Sequence, residues 1–192
     1  MPAIVYLHGF LSSPLSFKAE ATKAWLAQTH PDCDFFCPEL SAYPQQAQLM
    51  LDELLANIQQ PLRIIGSSLG GFWATYLVER SPNARAVLIN PAVSPHKLVG
   101  SLVGKPLKNY YTEHFYTLTP ACEQALQALG TGKPRHLEQY WLMVQTGDET
   151  LDYRAAVDHY QGCKQTVLDG GNHAFEGYEQ YLPAIYQFLT EQ

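Results

Sequence analysis

Short apolar runs alternate with segments of helical periodicity along most of the chain. Six runs rich in β-branched and aromatic residues have the length and composition of buried strands: AIVYLH (3–8), CDFFCP (33–38), LRIIG (62–66), AVLINPAV (86–93), YWLMVQTG (140–147) and KQTVLD (164–169). This alternation predicts an α/β fold with about six parallel strands and helices on both faces of the sheet. In such sheets, binding sites form at the carboxyl ends of the strands.

Helix signals fill the intervals between these runs. The predicted helices run from the serine–proline step at 12–14 to about 28, from 44 to 58, from about 69 to 80, over 151–160, and from near 182 to the end. Serine is a common N-cap, and proline suits the first helical turn. Pro183 lies inside the last apolar stripe, so this helix starts near Leu182 or bends there. The helix from 44 has one apolar stripe, made of Ala47, Met50, Leu51, Leu54, Leu55 and Ile58.

One stretch interrupts the alternation of strands and helices. Residues 94–130 contain no clear strand and are too long for an ordinary connection between two elements. A chain of 192 residues suits one domain with a sizeable core. We therefore expect a single domain over residues 1–192, into which 94–130 is inserted as a small lid.

The composition is that of an ordinary globular protein. The chain has a net charge of −6, a sequence pI near 5.6 and no run of Lys or Arg, so neither a nucleic-acid partner nor a stable membrane association is expected. The N-terminal residues MPAIVYLHGF lack a basic segment followed by a long apolar one, which favours a cytoplasmic location. Cys33 and Cys37 have no matching second pair for a zinc site, so free thiols are expected.

The segment GSSLGG (66–71) lies where the third apolar run meets an amphipathic stretch. Gly66, Ser68 and Gly70 match the pattern G-x-S-x-G, in which small residues around a serine let a strand turn sharply into a helix. Such a turn exposes the hydroxyl beside the backbone N–H groups of the helix start, which favour a developing negative charge. The motif is short and can arise by chance, but its strand–helix context predicts that Ser68 is a nucleophile.

A serine nucleophile needs a base, and the base needs an acid that orients it. With this turn, the order along the chain is serine, acid, histidine. VQTGDETLD follows the fifth apolar run and offers Asp148, with Asp152 as a competitor. LDGGNHAF follows the sixth run and offers His173 on a loop that two glycines make tight. We expect these residues to complete a catalytic triad with Ser68.

The oxyanion formed during acyl transfer needs two backbone donors. The amide of Leu69, the residue after the nucleophile, is the first candidate. The amide of Phe10, in the loop after the first strand, is the second. His8 precedes this loop in YLHGF and is expected to brace it.

Five segments together resemble the YqiA-type esterases, small bacterial members of the α/β-hydrolase superfamily. They are YLHGFLSSPLSFKA, IIGSSLGGFWATYL, INPAV, QTGDETLDY and GGNHAF, and the resemblance extends from residue 4 to about residue 189. It implies a reduced α/β-hydrolase fold whose sheet begins at the strand before HGF. It also implies hydrolysis of carboxylic esters or thioesters by Ser68, Asp148 and His173, without a metal or organic cofactor.

The substrate is the least defined part of the prediction. Residues 94–130 are rich in aliphatic and aromatic side chains, and Tyr110, Tyr111 and Phe115 either form a wall against an acyl group or pack the lid onto the body. An acyl-CoA substrate is also compatible with this segment, which carries Lys97, Lys105 and Lys108. An acyltransferase, lyase or acyl-CoA thioesterase on the same scaffold and a non-catalytic ligand-binding protein remain alternatives. The expected partner is a small acyl ester, and the expected assembly is a monomer or small homo-oligomer.

Overall fold

Strands and helices alternate over residues 3–58 and 60–191, which are the part of the chain that the computed structural model describes. The strands are β1 (Ala3–Leu7), β2 (Asp34–Phe36), β3 (Arg63–Ser67), β4 (Arg85–Ile89), β5 (Pro106–Lys108), β6 (Phe115–Thr117), β7 (Tyr140–Gln145) and β8 (Lys164–Leu168). The α-helices are α1 (Phe17–Thr29), α2 (Pro44–Asn57), α3 (Leu69–Val78), α4 (Pro95–Gly100), α5 (Pro120–Leu129), α6 (Tyr153–His159) and α7 (Leu182–Thr190). Among these described residues, no helix is both long and apolar enough to cross a membrane.

Six of the strands form one sheet in the order β2-β1-β3-β4-β7-β8. Every pairing in this sheet is parallel, which confirms the predicted architecture. The chain places β2 on one side of β1 and then returns to place β3 on the other side. At such a reversal the loops after the strands diverge and leave a crevice at their carboxyl ends.

The two faces of the sheet are covered by different helices, as expected. Successive side chains of a strand point to opposite faces, so each central strand contributes to two cores. The core under α2, α3, α5 and α6 includes Val5, Ile64, Leu88 and Leu142. The core under α1 and α7 includes Tyr6, Ile65, Val87 and Met143. With both faces covered, the ends of the strands are where a site can form.

The start of α1 differs from the prediction. The helix begins at Phe17 instead of at the serine–proline step, because Ser13 forms a separate turn before it. The hydroxyl oxygen of Ser13 accepts a hydrogen bond from the Leu15 amide at 3.1 Å. Its carbonyl accepts from the Ser16 amide at 3.0 Å. The first turn of α1 therefore contains Phe17 and Lys18, several residues after the predicted start.

Two other elements also differ from the sequence pattern. β4 ends at Ile89 instead of continuing to 93, because Asn90 leaves the extended conformation with a φ of 41°. Pro91, which follows, has no backbone N–H with which to extend a sheet. In α2, Met50 is 38% exposed instead of lying on the buried stripe.

The inserted segment, residues 94–130, contains α4, β5, β6 and α5. The expectation that it has no strand is wrong, because β5 and β6 pair as an antiparallel hairpin with Leu107 opposite Tyr116. A strand of three residues is too short to show a periodic pattern in the sequence. The hairpin is attached to the loop after β1, where the carbonyl of Leu11 accepts from the amide of Tyr110 at 2.9 Å.

Candidate active site

Ser68 occupies the tight turn between β3 and α3. Its backbone has a φ of 56° and a ψ of −121°, a conformation that residues other than glycine rarely adopt. Its amide donates to the carbonyl of Ile89 at 3.0 Å, and its carbonyl accepts from the amides of Gly71 and Ala92 at 2.9 and 3.0 Å. Three backbone hydrogen bonds therefore hold this strained residue in place.

Two glycines allow α3 to approach the sheet at this turn. A Cβ atom on Gly66 would lie 2.8 Å from the Cβ of Ala74 and would clash with the backbone of Gly70. A Cβ atom on Gly70 would clash with the carbonyl of Leu7 in β1. Neither backbone neighbour can move aside without displacing a strand or a helix, so both positions of the motif require glycine.

The structure brings Ser68, Asp148 and His173 into one chain of hydrogen bonds. The Oγ atom of Ser68 lies 3.0 Å from Nε2 of His173. The Nδ1 atom of His173 lies 2.8 and 3.0 Å from the two carboxylate oxygens of Asp148. Because a carboxylate only accepts, Nδ1 carries the proton and Nε2 is left to accept from the serine hydroxyl. A histidine in this state can act as a general base towards the serine.

The carboxylate of Asp148 is nearly enclosed, with 2% of its side chain exposed. Its Oδ1 atom also accepts from the amides of Thr150 and Leu151 at 2.8 and 2.9 Å. Burial raises the pKa of Asp148, but the hydrogen bonds from His173 and from the two amides outweigh burial and leave the pKa below its ordinary value. Asp148 is therefore ionised where it contacts the imidazole.

Asp152, the competing acid, lies outside this chain of hydrogen bonds. It is the N-cap of α6, where its side chain accepts from the amide of Arg154 at 3.0 Å. Its side chain is 63% exposed. The geometry favours Asp148 as the acid that orients the histidine.

Residues 169–177, the histidine loop, carry His173 from the edge strand β8 back over the sheet. Two strands, β7 and β4, lie between β8 and β3. With adjacent strands about 4.8 Å apart, the loop spans roughly 14 Å to reach Ser68. Gly170 and Gly171 begin this path with φ values of 73° and 70°, which explains the two glycines of LDGGNHAF.

Two buried amide side chains, which the sequence pattern did not reveal, hold the histidine loop. The Nδ2 atom of Asn90 donates to the carbonyls of Asn172 and His173 at 3.0 and 3.1 Å. The Oε1 atom of Gln145 accepts from the amides of Asn172 and Glu176 at 3.1 and 2.8 Å. Asn90 and Gln145 are joined, since Oδ1 of Asn90 accepts from the Gln145 amide at 3.0 Å. The only sequence signal is a polar residue at the end of an apolar strand.

Residues 9–12 follow β1 and pack against Ser68; we name them the oxyanion loop because the Phe10 amide was predicted to bind an oxyanion. A Cβ atom on Gly9 would lie 3.2 Å from the Cβ of Ser68, which is a tight contact. On the other side, the inserted segment contacts this loop, because Nδ2 of Asn109 donates to the carbonyl of Ser12 at 2.9 Å. The oxyanion loop therefore lies between Ser68 and the inserted hairpin.

His8 braces the oxyanion loop, as predicted. Its Nδ1–H group donates to the carbonyl of Gly9 at 2.9 Å, and its Nε2 atom accepts from the amide of Leu40 at 2.9 Å. Both bonds require a neutral imidazole, and burial lowers the pKa of His8. In a trans peptide the carbonyl and the following N–H point in opposite directions, so the bond to Gly9 turns the amide of Phe10 away from His8.

The amides of Phe10 and Leu69 are the donors expected for an oxyanion. Leu69 opens α3, and the first amides of a helix have no partner within it. Within the described residues, neither amide donates to a protein acceptor. Both remain available for a ligand oxygen beside Ser68.

A cleft of about 560 Å³ opens beside Ser68. Tyr110 and Tyr111 of the inserted segment line it and are 79% and 46% exposed. Phe115, the third aromatic residue expected in this wall, is not among the residues that line the cleft. Side chains alternate along β6, and this alternation leaves the Phe115 ring 66% exposed, 5.9 Å from Nζ of Lys108.

Two charged residues at the cleft were not predicted. Lys18 in the first turn of α1 lines the cleft, and its Nζ atom donates to the carbonyl of Ala174 at 2.8 Å. Glu149 also lines it, and its carboxylate accepts from the amide of His173 at 2.9 Å, which lowers the pKa of Glu149. Over the described ranges, no three His, Cys, Asp or Glu side chains form a group that could hold a metal ion.

Known structures resemble this fold over nearly the whole chain. Alpha/beta hydrolase domain-containing protein 10 from mouse has a TM-score of 0.76 at 15% identity, covering 97% of this chain and 88% of that chain. Est1E from Butyrivibrio proteoclasticus has a TM-score of 0.71 at 14% identity, covering 97% and 86%. Methylesterase protein MES16 from Arabidopsis has a TM-score of 0.67 at 11% identity, covering 97% and 98%. These similarities establish the predicted α/β-hydrolase fold.

The sequence itself matches one family model over almost its full length. This model, described as an uncharacterised protein family (UPF0227), covers residues 3–190. The match includes the turn at Ser68, the oxyanion loop and the histidine loop.

Proposed function

We propose that this chain, which belongs to the uncharacterised protein family UPF0227, the YqiA family, is a serine hydrolase that cleaves carboxylic esters or thioesters. Membership of this family confirms the resemblance on which the sequence-based expectation rested. The observation that carries the proposal is the chain of hydrogen bonds from Ser68 through His173 to Asp148, built on a strained strand–helix turn.

The proposed mechanism uses this geometry in two half-reactions. His173 takes the hydroxyl proton of Ser68 as Oγ attacks the ester carbonyl carbon, and Asp148 stabilises the imidazolium that forms. The amides of Phe10 and Leu69 bind the oxyanion, each contributing roughly 3 kcal/mol to transition-state stabilisation. The tetrahedral intermediate collapses, the bond to the leaving oxygen or sulfur breaks, and His173 protonates that atom.

The second half-reaction releases the acyl group. His173 takes a proton from water as the water oxygen attacks the carbonyl carbon of the acyl-enzyme. The bond to Oγ of Ser68 then breaks, His173 returns the proton to Oγ, and the carboxylic acid leaves. Residues of the chain supply every proton transfer and every charge contact in this cycle.

The shape of the cleft supports a small or medium acyl ester as the substrate. Its volume of about 560 Å³ is in the ordinary range for a small-molecule site. Leu98, Leu102 and Leu107 give it an apolar wall, and Tyr110 and Tyr111 add aromatic surface. Such a wall suits an acyl chain or an aromatic group.

Active-site labelling with a fluorophosphonate tests the proposal directly. The wild-type protein is expected to be labelled and to hydrolyse p-nitrophenyl esters, whereas Ser68→Ala is expected to lose labelling and to lose activity by several orders of magnitude. Ser67→Ala is the matched control, because Ser67 is adjacent to Ser68 but has Ile65 and Leu69, not glycines, two residues before and after it. A folded Ser68→Ala protein that keeps most of its activity contradicts the proposal.

A further inference from the structure

One end of the cleft is formed by the first turn of α1. Ser16, Phe17 and Lys18 all line the cleft there. Because Ser13 displaces the start of the helix, the N-terminus of this 13-residue helix lies at the cleft instead of several residues before it. The first backbone N–H groups of a helix and its dipole favour a negative charge.

Lys18 brings a positive charge to the same place. Its ammonium group has three N–H donors, of which the carbonyl of Ala174 accepts one at 2.8 Å. Within the described ranges, no carboxylate oxygen lies within 4.0 Å of its Nζ atom. Burial lowers the pKa of Lys18 to about 8, while the negative charge of Asp148 acts in the opposite direction. Lys18 is thus mostly charged at neutral pH, without a partner of opposite charge.

Ser16 adds a hydroxyl group that has no partner in the protein. Ser16 lines the cleft, and its Oγ atom is buried and makes no hydrogen bond in the described structure. Although Ser16 is the N-cap residue of α1, its side chain does not cap the helix. A buried hydroxyl left unpaired costs free energy, which a ligand oxygen at this position would recover.

We propose that Lys18, Ser16 and the first turn of α1 bind a carboxylate on the alcohol half of the ester. The proposal rests on the proposed function and narrows its substrate class to esters of acidic alcohols. Lys18 is bonded to Ala174, the residue after His173, and His173 protonates the leaving alcohol. Lys18, Ser16 and the first turn of α1, together called the cationic corner, therefore lie on the side of the cleft from which the alcohol departs.

The charges around the corner favour a single negative charge on the ligand. One ammonium group faces the cleft, and the carboxylate of Glu149 lines the same cleft from the loop after β7. Glu149 is exposed and accepts from the His173 amide, so water screens much of its charge. A doubly charged phosphate meets more repulsion from Glu149 than a carboxylate does, and Lys18 is the one Lys or Arg among the described residues that line the cleft.

Matched pairs of esters test this preference. The first pair is 4-butyryloxybenzoate and 4-butyryloxybenzamide, which match in size and shape and differ in the charge of the alcohol half. We expect wild-type kcat/KM to be about tenfold higher for the benzoate, because a charge-assisted hydrogen bond contributes about this factor. 4-Butyryloxyphenyl phosphate and phenyl hemisuccinate, which has its carboxylate on the acyl half, are expected to show no such gain over neutral counterparts.

Variants of α1 then assign the preference to the corner. Lys18→Met is expected to lower the benzoate-to-benzamide ratio of kcat/KM by about tenfold, Lys18→Arg to retain most of it, and Ser16→Ala to lower it by less. Lys23→Met is the control, because Lys23 is exposed on the same helix and does not line the cleft. Lys18→Met also breaks the hydrogen bond to Ala174, which can lower kcat/KM for both substrates. Such a shared loss cancels in the ratio. An unchanged ratio in Lys18→Met overturns the proposal, as does a preference seen only with phenyl hemisuccinate or only with the phosphate.

A measurement on the wild-type protein covers the case in which Lys18→Met fails to fold. 4-Hydroxybenzoate is expected to protect Ser68 from fluorophosphonate at about tenfold lower concentration than 4-hydroxybenzamide, and equal protection overturns the proposal. Failure of the proposed function has a different signature, since then no ester is hydrolysed and Ser68 is not labelled. Hydrolysis of neutral esters without any preference for the benzoate contradicts this inference alone.

Discussion

Two loops meet over Ser68, and they are held in different ways. The histidine loop is bound by Asn90 and Gln145, whose side chains are buried at the ends of two central strands. The oxyanion loop is bound on one side by His8 and on the other by Asn109 of the inserted segment. The first loop is therefore held mainly from the sheet, with further hydrogen bonds from Glu149 and Lys18, whereas the second is held partly by the segment that forms the cleft wall.

This difference separates two tasks within one site. In our proposal the base has to stay within hydrogen-bonding distance of Ser68 whatever the substrate is, and the strands β4 and β7, whose ends hold its loop, are almost wholly buried. The amide of Phe10 is needed when a substrate is bound, and its loop is bonded to the hairpin that contacts the substrate in our proposal. Variants of the two supports should therefore both lower kcat, but by different factors.

The largest effect is expected from the acid that orients the base. Asp148→Asn should lower kcat by about 10⁴-fold, because an amide in place of the carboxylate leaves the imidazole in the wrong tautomer. Asp152→Asn is the control and should change kcat little, since asparagine also caps a helix well. Steady-state kinetics with a p-nitrophenyl ester measures both. The reverse ranking of the two variants would assign the acid to Asp152.

Breaking the support of the histidine loop should have the next largest effect. Asn90→Gly removes the side chain at a φ of 41°, which glycine adopts without strain, and should lower kcat by about 10²-fold through misplacement of His173. It should also cost about 1–3 kcal/mol of unfolding free energy, because the carbonyls of the loop lose a buried donor.

Asn83→Gly is the matched control for that variant. Asn83 also has a positive φ, of 61°, but it is exposed and its side chain makes no hydrogen bond in the described structure. It should leave kcat and the rate of fluorophosphonate labelling unchanged. Equal labelling rates for Asn90→Gly and Asn83→Gly would show that Asn90 supports the fold without positioning the base.

The residues to which we assign direct chemical roles could be found in the sequence because each has a local signature. Ser68 lies in a turn that needs glycine on both sides, and His173 lies in a glycine-rich loop after a strand. The parallel sheet then brings the ends of distant strands together, which is why the order of residues along the chain indicated the site. The fold followed from the same alternation of apolar runs and helical segments.

The supporting residues could not be predicted, because their partners are set by the path of a loop. Asn90 contacts His173 only because the histidine loop passes over β7 and β4 on its way from β8. The same holds for Lys18, whose position at the cleft depends on a turn at Ser13 that delays the start of α1. Asn109 lies in a hairpin whose strands are too short to give a periodic pattern.

Breaking the support of the oxyanion loop should have a smaller effect than breaking that of the histidine loop. Asn109→Ala removes the bond to Ser12 and the bonds from the amides of Tyr111 and Thr112, and we expect about a tenfold lower kcat. His8 still holds the other side of the loop, so the loss should be partial. Thr112→Ala is the control, because its side chain contacts only the amide of His114 within the hairpin. A loss confined to KM in Asn109→Ala would contradict a role in placing the Phe10 amide.

The smallest effect is expected from the wall of the cleft, and it should appear in specificity. Tyr111 lines the cleft, whereas Phe115 in the same hairpin does not. Each enclosed methylene adds about 0.8 kcal/mol, so kcat/KM should rise with acyl length until the pocket is full and then fall. Tyr111→Ala enlarges the pocket and should move this optimum to a longer chain, with a change of a few fold at each length. Phe115→Ala should leave the profile as it is, although the ring it removes is similar in size.

A series of p-nitrophenyl esters from acetate to decanoate measures the profiles, with the rate of labelling by a small fluorophosphonate as a check that the triad is intact. If both variants keep the wild-type profile, the acyl group does not contact the inserted segment. The hairpin would then affect the reaction through the oxyanion loop alone.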